Sequence, residues 1–224
     1  MVAAEAREFS RLFRKSRGGK LDWPLNFSRL AGGLILLANG PGPILAGRAV
    51  AEAANRTNIR ALVSTGFCGA LRPEFSVGDI VVADCVLDAA SGQRYPAAHP
   101  PSRPGGKSGL IVSMNRVVVT SAEKQLLRAS TGACAVEMEA GEVARWADQL
   151  SVPFYCVRVV SDTAGHSMGM DFNNFRDKQG RFSRMRIAFA ALRNPSQVPS
   201  LRRLERDSRI AASRLGDFLA DCRF

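Results

Sequence analysis

No apolar run in the 224 residues approaches the length that crosses a bilayer, so a membrane-spanning protein is not expected. The opening residues Met1 to Glu5 reach an acid at once, without a basic region followed by an apolar core. A secretory signal is therefore not expected, and a cytoplasmic location is. The five cysteines, Cys68, Cys85, Cys134, Cys156 and Cys222, are odd in number and never form a Cys-x-x-Cys pair. They read as buried free thiols rather than zinc ligands or a redox couple. Gly40-Pro41-Gly42-Pro43 has neither the Walker Lys-Ser/Thr nor the dinucleotide spacing. Zinc-finger spacing, an aromatic RNA-binding signature and a recognition helix are also missing, so nucleic acid is not an expected partner. Of only two histidines, His99 stands among prolines as an exposed loop residue and His166 reads as loop lining.

What is present is ordinary globular composition, with 46% hydrophobic and 23% charged residues, which excludes an intrinsically disordered chain. The length suits one domain over 1–224 with a basic helical C-terminal extension over 176–224. The net charge of +11 is unevenly placed. Residues 1–29 carry seven Lys/Arg against three acids and residues 176–224 carry twelve against five, whereas 30–175 balance at twelve each. The excess thus lies outside the middle of the chain, as for contact with an anionic surface or as for a solvated face; both stand.

Apolar periodicity alternates between strand and helix. Val2 to Ala4, Leu34 to Ala38, Ala61 to Thr65 and a run starting at Gly78 read as strands, and Ala6 to Phe13 and Ile44 to Asn55 as helices. Such alternation implies an α/β sheet. Asp88 to Gly109, rich in Pro, Gly and Ser, reads as one long loop. Beyond Asp171, Phe182, Met185, Phe189 and Leu192 mark one helix, and Leu201, Leu204, Ala211, Leu215 and Phe218 a second. Arg202, Arg203, Arg206 and Arg209 lie off the second stripe.

Two carboxylates stand out. Asp162 ends the apolar run Phe154 to Val160, at the strand edge where open α/β sheets bind ligands. Glu139 opens the helical pattern of Val143, Trp146, Ala147 and Leu150. They either face one crevice, or Glu139 serves its helix N-terminus and Asp162 caps the next segment of chain.

The segments Ala4 to Phe9, Asn39 to Gly42, Ser64 to Leu71, Val77 to Val82, Val136 to Ala140 and Ser161 to Ala164 resemble the nucleoside phosphorylase and nucleosidase superfamily, methylthioadenosine/S-adenosylhomocysteine nucleosidases above all. The resemblance implies a three-layer αβα fold around a twisted mixed sheet, and cleavage of a purine N-glycosidic bond without metal or organic cofactor. On it, Asp162 matches the acid that protonates the base at N7. Glu139, after Met138, matches the residue that holds the ribose hydroxyls, and Glu8 matches the one that activates water, with Glu5 close by. Phe67, Cys68, Gly69, Val117 and Val118 match the substrate-binding positions. Phe67, where phosphorylases place phosphate-binding groups, points to hydrolysis, while Arg48 or Arg116 keeps phosphorolysis open. The resemblance also implies a homodimer. Asp177 to Gly180, Pro195 to Pro199 and Arg206 to Arg209 resemble hopanoid-associated phosphorylases, which implies a nucleoside-lipid substrate and peripheral contact with an anionic membrane at its inner face. A non-catalytic nucleoside or lipid-headgroup binder is the reading of another class.

Overall fold

Strand and helix periods alternate in the sequence, and the elements follow them. The computed structural model describes residues 1–3, 26–29, 34–101, 105–177, 196 and 198–224. Its strands are Val2–Ala3 (β1), Asn26–Arg29 (β2), Ile35–Ala38 (β3), Leu62–Ala70 (β4), Ile80–Asp88 (β5), Arg94–Pro96 (β6), Lys107–Ser113 (β7), Ala135–Glu137 (β8) and Phe154–Asp162 (β9). Its α-helices are Pro43–Arg56 (α1), Ser121–Thr131 (α2), Ala140–Leu150 (α3) and Val198–Ala220 (α4), and Phe172–Phe175 forms a 3-10 turn. The helices expected over Ala6 to Phe13 and Phe182 to Leu192 lie outside the described residues.

The nine strands make one mixed sheet in the order β2-β3-β1-β4-β8-β7-β5-β6. Strand β9 lies off this path, parallel to β4 and antiparallel to β5. The circuit β4-β8-β7-β5-β9 therefore closes on itself. Central strands buried on both faces read as apolar runs, which is why Phe154 to Val160, interrupted by the charge of Arg158, is conspicuous.

Helices cover both faces, so the fold is a three-layer αβα sandwich around a twisted mixed sheet. On one face, Leu45, Ala46, Ala49, Val50 and Ala53 of α1 and Val143, Ala144 and Ala147 of α3 are buried. All of these except Leu45 share a core with Cys68, Ala70, Val81, Cys156 and Val160. Gly47 lets these two helices close up: a Cβ there would lie 2.5 Å from Glu142 Oε1. On the other face, Ala211, Leu215, Phe218 and Leu219 of α4 recur at i, i+4, i+7 and i+8 and pack on Leu36, Val63, Val82, Val157 and Val159. Burying each of Leu215, Phe218 and Leu219 contributes about 2 kcal/mol. No helix among the described residues is long and apolar enough to cross a membrane.

Two expectations are corrected. Residues 88–109 are not one loop: Arg94–Pro96 pairs antiparallel with β5, and β7 begins at Lys107. A proline at the end of an edge strand lacks only a donor that the ladder does not need, so the Pro-rich composition concealed the pairing. Strand β4 does not end at Thr65 but runs through its glycines to Ala70, with a register shift between Cys68 and Gly69.

Candidate active site

The register of β4 brings the two carboxylate motifs together. Gly69 pairs with Val136 of β8 on one side and with Asp162 of β9 on the other. A Cβ on Gly69 would lie 3.0 Å from Asp162 Oδ2 and 3.4 Å from Val136 Cγ1, so glycine makes the room the carboxylate occupies.

Asp162 is buried at the end of β9. Its Oδ1 accepts a hydrogen bond from Ser161 Oγ at 2.9 Å, and its Oδ2 is ion-paired with Lys124 Nζ. Lys124, on the first turn of α2, is 1% exposed and also donates to the carbonyls of Thr163 at 2.8 Å and His166 at 3.2 Å. The capping role offered for Asp162 is therefore not what holds its side chain.

The second cluster forms around Arg158, whose guanidinium sits inside the sheet at 1% exposure. It pairs with Glu137, donates to Glu139 Oε2 at 3.1 Å and to Ser64 Oγ at 2.6 Å. Glu139 Oε1 accepts the amide of Gly42 at 2.8 Å, at the N-terminus of α1. Gly42 has φ 96°, a backbone conformation that residues with a side chain rarely adopt, so the turn favours glycine. The helix-terminus role offered for Glu139 falls to Glu137 instead: its Oε2 accepts the amides of Glu139 and Ala140, both at 2.8 Å, at the start of α3.

Burial, the largest influence, pushes the Glu139 carboxyl above its ordinary range; the Arg158 charge opposes this and Glu137 reinforces it. Burial works against the Arg158 charge, yet Glu137 and Glu139 hold it above its ordinary value. With both carboxylates ionised, one cation between them leaves the cluster with a net negative charge. Each ionised carboxylate offers about four lone-pair positions, so Glu139, with two used, retains acceptors for further donors.

The other expected positions scatter. Met138 is half-buried, its Cε 3.9 Å from the Cβ position of Gly42. Cys68 is buried, its carbonyl 3.3 Å from Ser161 Oγ, and burial pushes its thiol well up. Val117 exchanges backbone hydrogen bonds with the Asn173 side chain at 2.9 and 3.0 Å, and Val118 is buried with Leu71, Val112 and Val136. Phe67 is not brought to the carboxylates: it packs on the opposite face, with the cluster beneath α4. Glu8 and Glu5 lie outside the described residues. His99 Nε2 lies 2.7 Å from Asp84 Oδ1, and His166 is held below its ordinary range by burial and then by Arg203.

Sequence reasoning missed Arg158 and Lys124. A charge inside the run Phe154 to Val160 must be paired if that run is a buried strand, and this signal was there to use. Lys124 gave none: Leu126, two residues on, is 71% exposed while the lysine is buried, the reverse of what residue type predicts.

Known proteins resemble this chain in sequence and in fold. A methylthioadenosine/S-adenosylhomocysteine nucleosidase of Staphylococcus aureus is 31% identical over 171 residues, covering 65% of this chain and 75% of that protein. One of Mycobacterium tuberculosis is 27% identical over 189 residues, covering 63% and 74%. Among solved structures, the nucleosidase of Neisseria meningitidis in complex with methylthio-immucillin-A superposes with a TM-score of 0.73 at 21% identity, covering 98% of this chain and 95% of that one. That of Colwellia psychrerythraea in complex with adenine gives 0.71 at 20% identity, covering 98% and 91%. The family model of the phosphorylase superfamily matches residues 4–106 and 106–191, a span that takes in both the Arg158 cluster and the Asp162 pair, and the chain belongs to that superfamily.

Proposed function

We propose that this protein hydrolyses the N-glycosidic bond of a 5′-substituted adenosyl nucleoside and releases adenine. The observation that carries the reading is the anchored Glu139 carboxylate, with acceptors to spare, one strand from a buried Asp162. The nucleosidase names of the sequence relatives support it.

Breaking the bond puts an electron pair on the purine and positive charge on the ribose. Asp162 answers the first need by passing a proton to N7, so that neutral adenine departs. Glu139 answers the second. It accepts hydrogen bonds from the 2′ and 3′ hydroxyls, and the net negative charge of its cluster favours the oxocarbenium-like sugar. Glu8 takes the proton of the attacking water. Met138, Cys68, Gly69, Val117 and Val118 line or support the nucleoside.

Hydrolysis is favoured over phosphorolysis because two of the cations near the site are committed. Arg158 is bound by two carboxylates and engages Ser64, and Arg116 donates to Glu123 at 2.8 Å. The unit is the whole of 1–224, with 176–224 as a basic helical extension, working in the cytoplasm as a homodimer. A second reading of the substrate, a nucleoside-lipid of the adenosylhopane kind reached from a membrane surface, is favoured by the exposed arginines 202, 203, 206, 209 and 214 on α4.

The test is adenine release from methylthioadenosine, S-adenosylhomocysteine and detergent-dispersed adenosylhopane, with and without phosphate. Release without phosphate is expected, and Asp162→Asn should lose at least about 100-fold in kcat while still binding the nucleoside. Strict phosphate dependence would overturn hydrolysis. No release by folded protein from any substrate would leave a nucleoside-binding protein.

A further inference from the structure

The buried ion pair on Asp162 raises a chemical question. An acid that protonates N7 must carry a proton, yet its partner is a lysine whose Nζ makes three contacts, with Asp162 Oδ2 and the carbonyls of Thr163 and His166. The same three contacts fit an ammonium beside a carboxylate and an amine that accepts from the carboxylic acid while donating to the two carbonyls, so one proton can sit on either side of the pair.

We infer that Lys124 is the proton reservoir of Asp162: the proton delivered to N7 crosses from Lys124 Nζ through the Asp162 carboxyl. This rests on the reading of Asp162 as the acid. A purine in the site shuts bulk water away from Asp162, so an internal donor is needed while base is bound. Burial penalises both charges of the pair, which brings the neutral pair closer in energy to the ionic one. Ser161 accommodates either state. Its hydroxyl lies 2.9 Å from Asp162 Oδ1 and 3.3 Å from the Cys68 carbonyl, so it can donate to the carboxylate or turn to the carbonyl and accept from the carboxylic acid.

The protons balance. Nζ gives one to Asp162 and Asp162 gives one to N7. The C1′–N9 pair leaves with the base, and water adds hydroxyl to C1′ and yields its other proton to the base that activates it. Once adenine has left, solvent reprotonates Lys124 through Asp162. Among the described residues, the titratable groups beside the pair include His166 from the following loop and the Cys68 thiol from β4, with Arg203 and Asp207 of α4 acting on His166. On α2 itself, Glu123 turns outward to Arg116. Lys124 is the group that hydrogen-bonds Asp162 and can both hold and release a proton.

The experiment is the pH profile of kcat for adenine release by the wild type, Lys124→Met, Lys124→Arg and Asp162→Asn, with KM measured alongside. For Lys124→Met, kcat should fall about 100-fold at alkaline pH, where Asp162 alone no longer keeps a proton, and recover to within about tenfold in acid, with KM changed less than about threefold. The alkaline limb thus moves to lower pH. Lys124→Arg keeps the positive charge but does not give up a proton, so it should follow Lys124→Met. A wild-type profile for Lys124→Arg would overturn the inference, because charge alone would then suffice. A uniform loss at every pH in Lys124→Met would also overturn it, as a purely structural effect. Should Lys124→Met fail to fold, Lys124→Arg decides by the same criterion. Retained turnover in Asp162→Asn would instead remove Asp162 as the acid, whatever Lys124 does.

Discussion

At the scale of the residue, Arg158 governs the site's stability as well as its charge. Its removal leaves Glu137 and Glu139 buried without a countercharge, and breaking one side of a buried ion pair costs about 3–5 kcal/mol. Arg158→Met should lose that much in urea unfolding at neutral pH. The sign with pH follows from Glu139, whose carboxyl burial already raises above the usual range. Without the guanidinium, the cost of the charged form grows, so the deficit of the variant should shrink as pH falls through the carboxylate range and the group takes up a proton. A deficit that grows toward acid would contradict this. The sequence disclosed Asp162 and Glu139 because each stands in a short motif beside a periodic run. It also held the clue to Arg158, an unmatched charge in an apolar strand. Lys124 was illegible because a helix position is known to be buried only once its neighbours are in place.

Elements hold these groups in position through their ends. Helix α2, which carries Lys124 on its first turn, starts with a reciprocal cap: Thr120 Oγ1 accepts the Glu123 amide at 3.1 Å, and Glu123 Oε2 accepts the Thr120 amide at 3.0 Å. The backbone of Thr120 and the side chain of Arg116 hold Glu123 down at about 2. A lowered carboxyl stabilises the fold above its unfolded value and loses that contribution as pH falls through its folded value. Thr120→Ala should cost about 1 kcal/mol, and Glu123→Gln should cost stability at pH 7 that is lost between about pH 4.5 and about pH 2. Thermal unfolding across that window reads both. Helices α1, α3 and α4 were legible from their stripes, within a few residues. The short β6 was not, because three residues carry too little periodicity, and only its pairing with β5 identifies it.

For the whole molecule, charge is the property that the sequence states best and sheet order the one it states least. The basic excess counted over 176–224 appears on α4 as exposed arginines beside a buried apolar stripe. Part of that charge is neutralised locally, by Asp207 against Arg203 and Arg206 and by Glu205 against Arg209. If α4 faces a membrane, co-sedimentation with vesicles rich in phosphatidylglycerol should be strong at about 0.05 M salt and largely abolished at about 0.5 M, where screening shortens to a few ångströms. Equal recovery at both would mean a merely solvated helix. Strand order was invisible, since β9 pairs with β4 and β5 across long stretches of intervening chain, and no local pattern encodes such partners.

The same strand has a consequence in time. Strand β9 closes the circuit of β4, β8, β7 and β5, and its last residue is Asp162. During synthesis the carboxylate and the closing strand emerge together. A nascent chain ending before β9 therefore has an open sheet and lacks the Asp162 carboxylate as well.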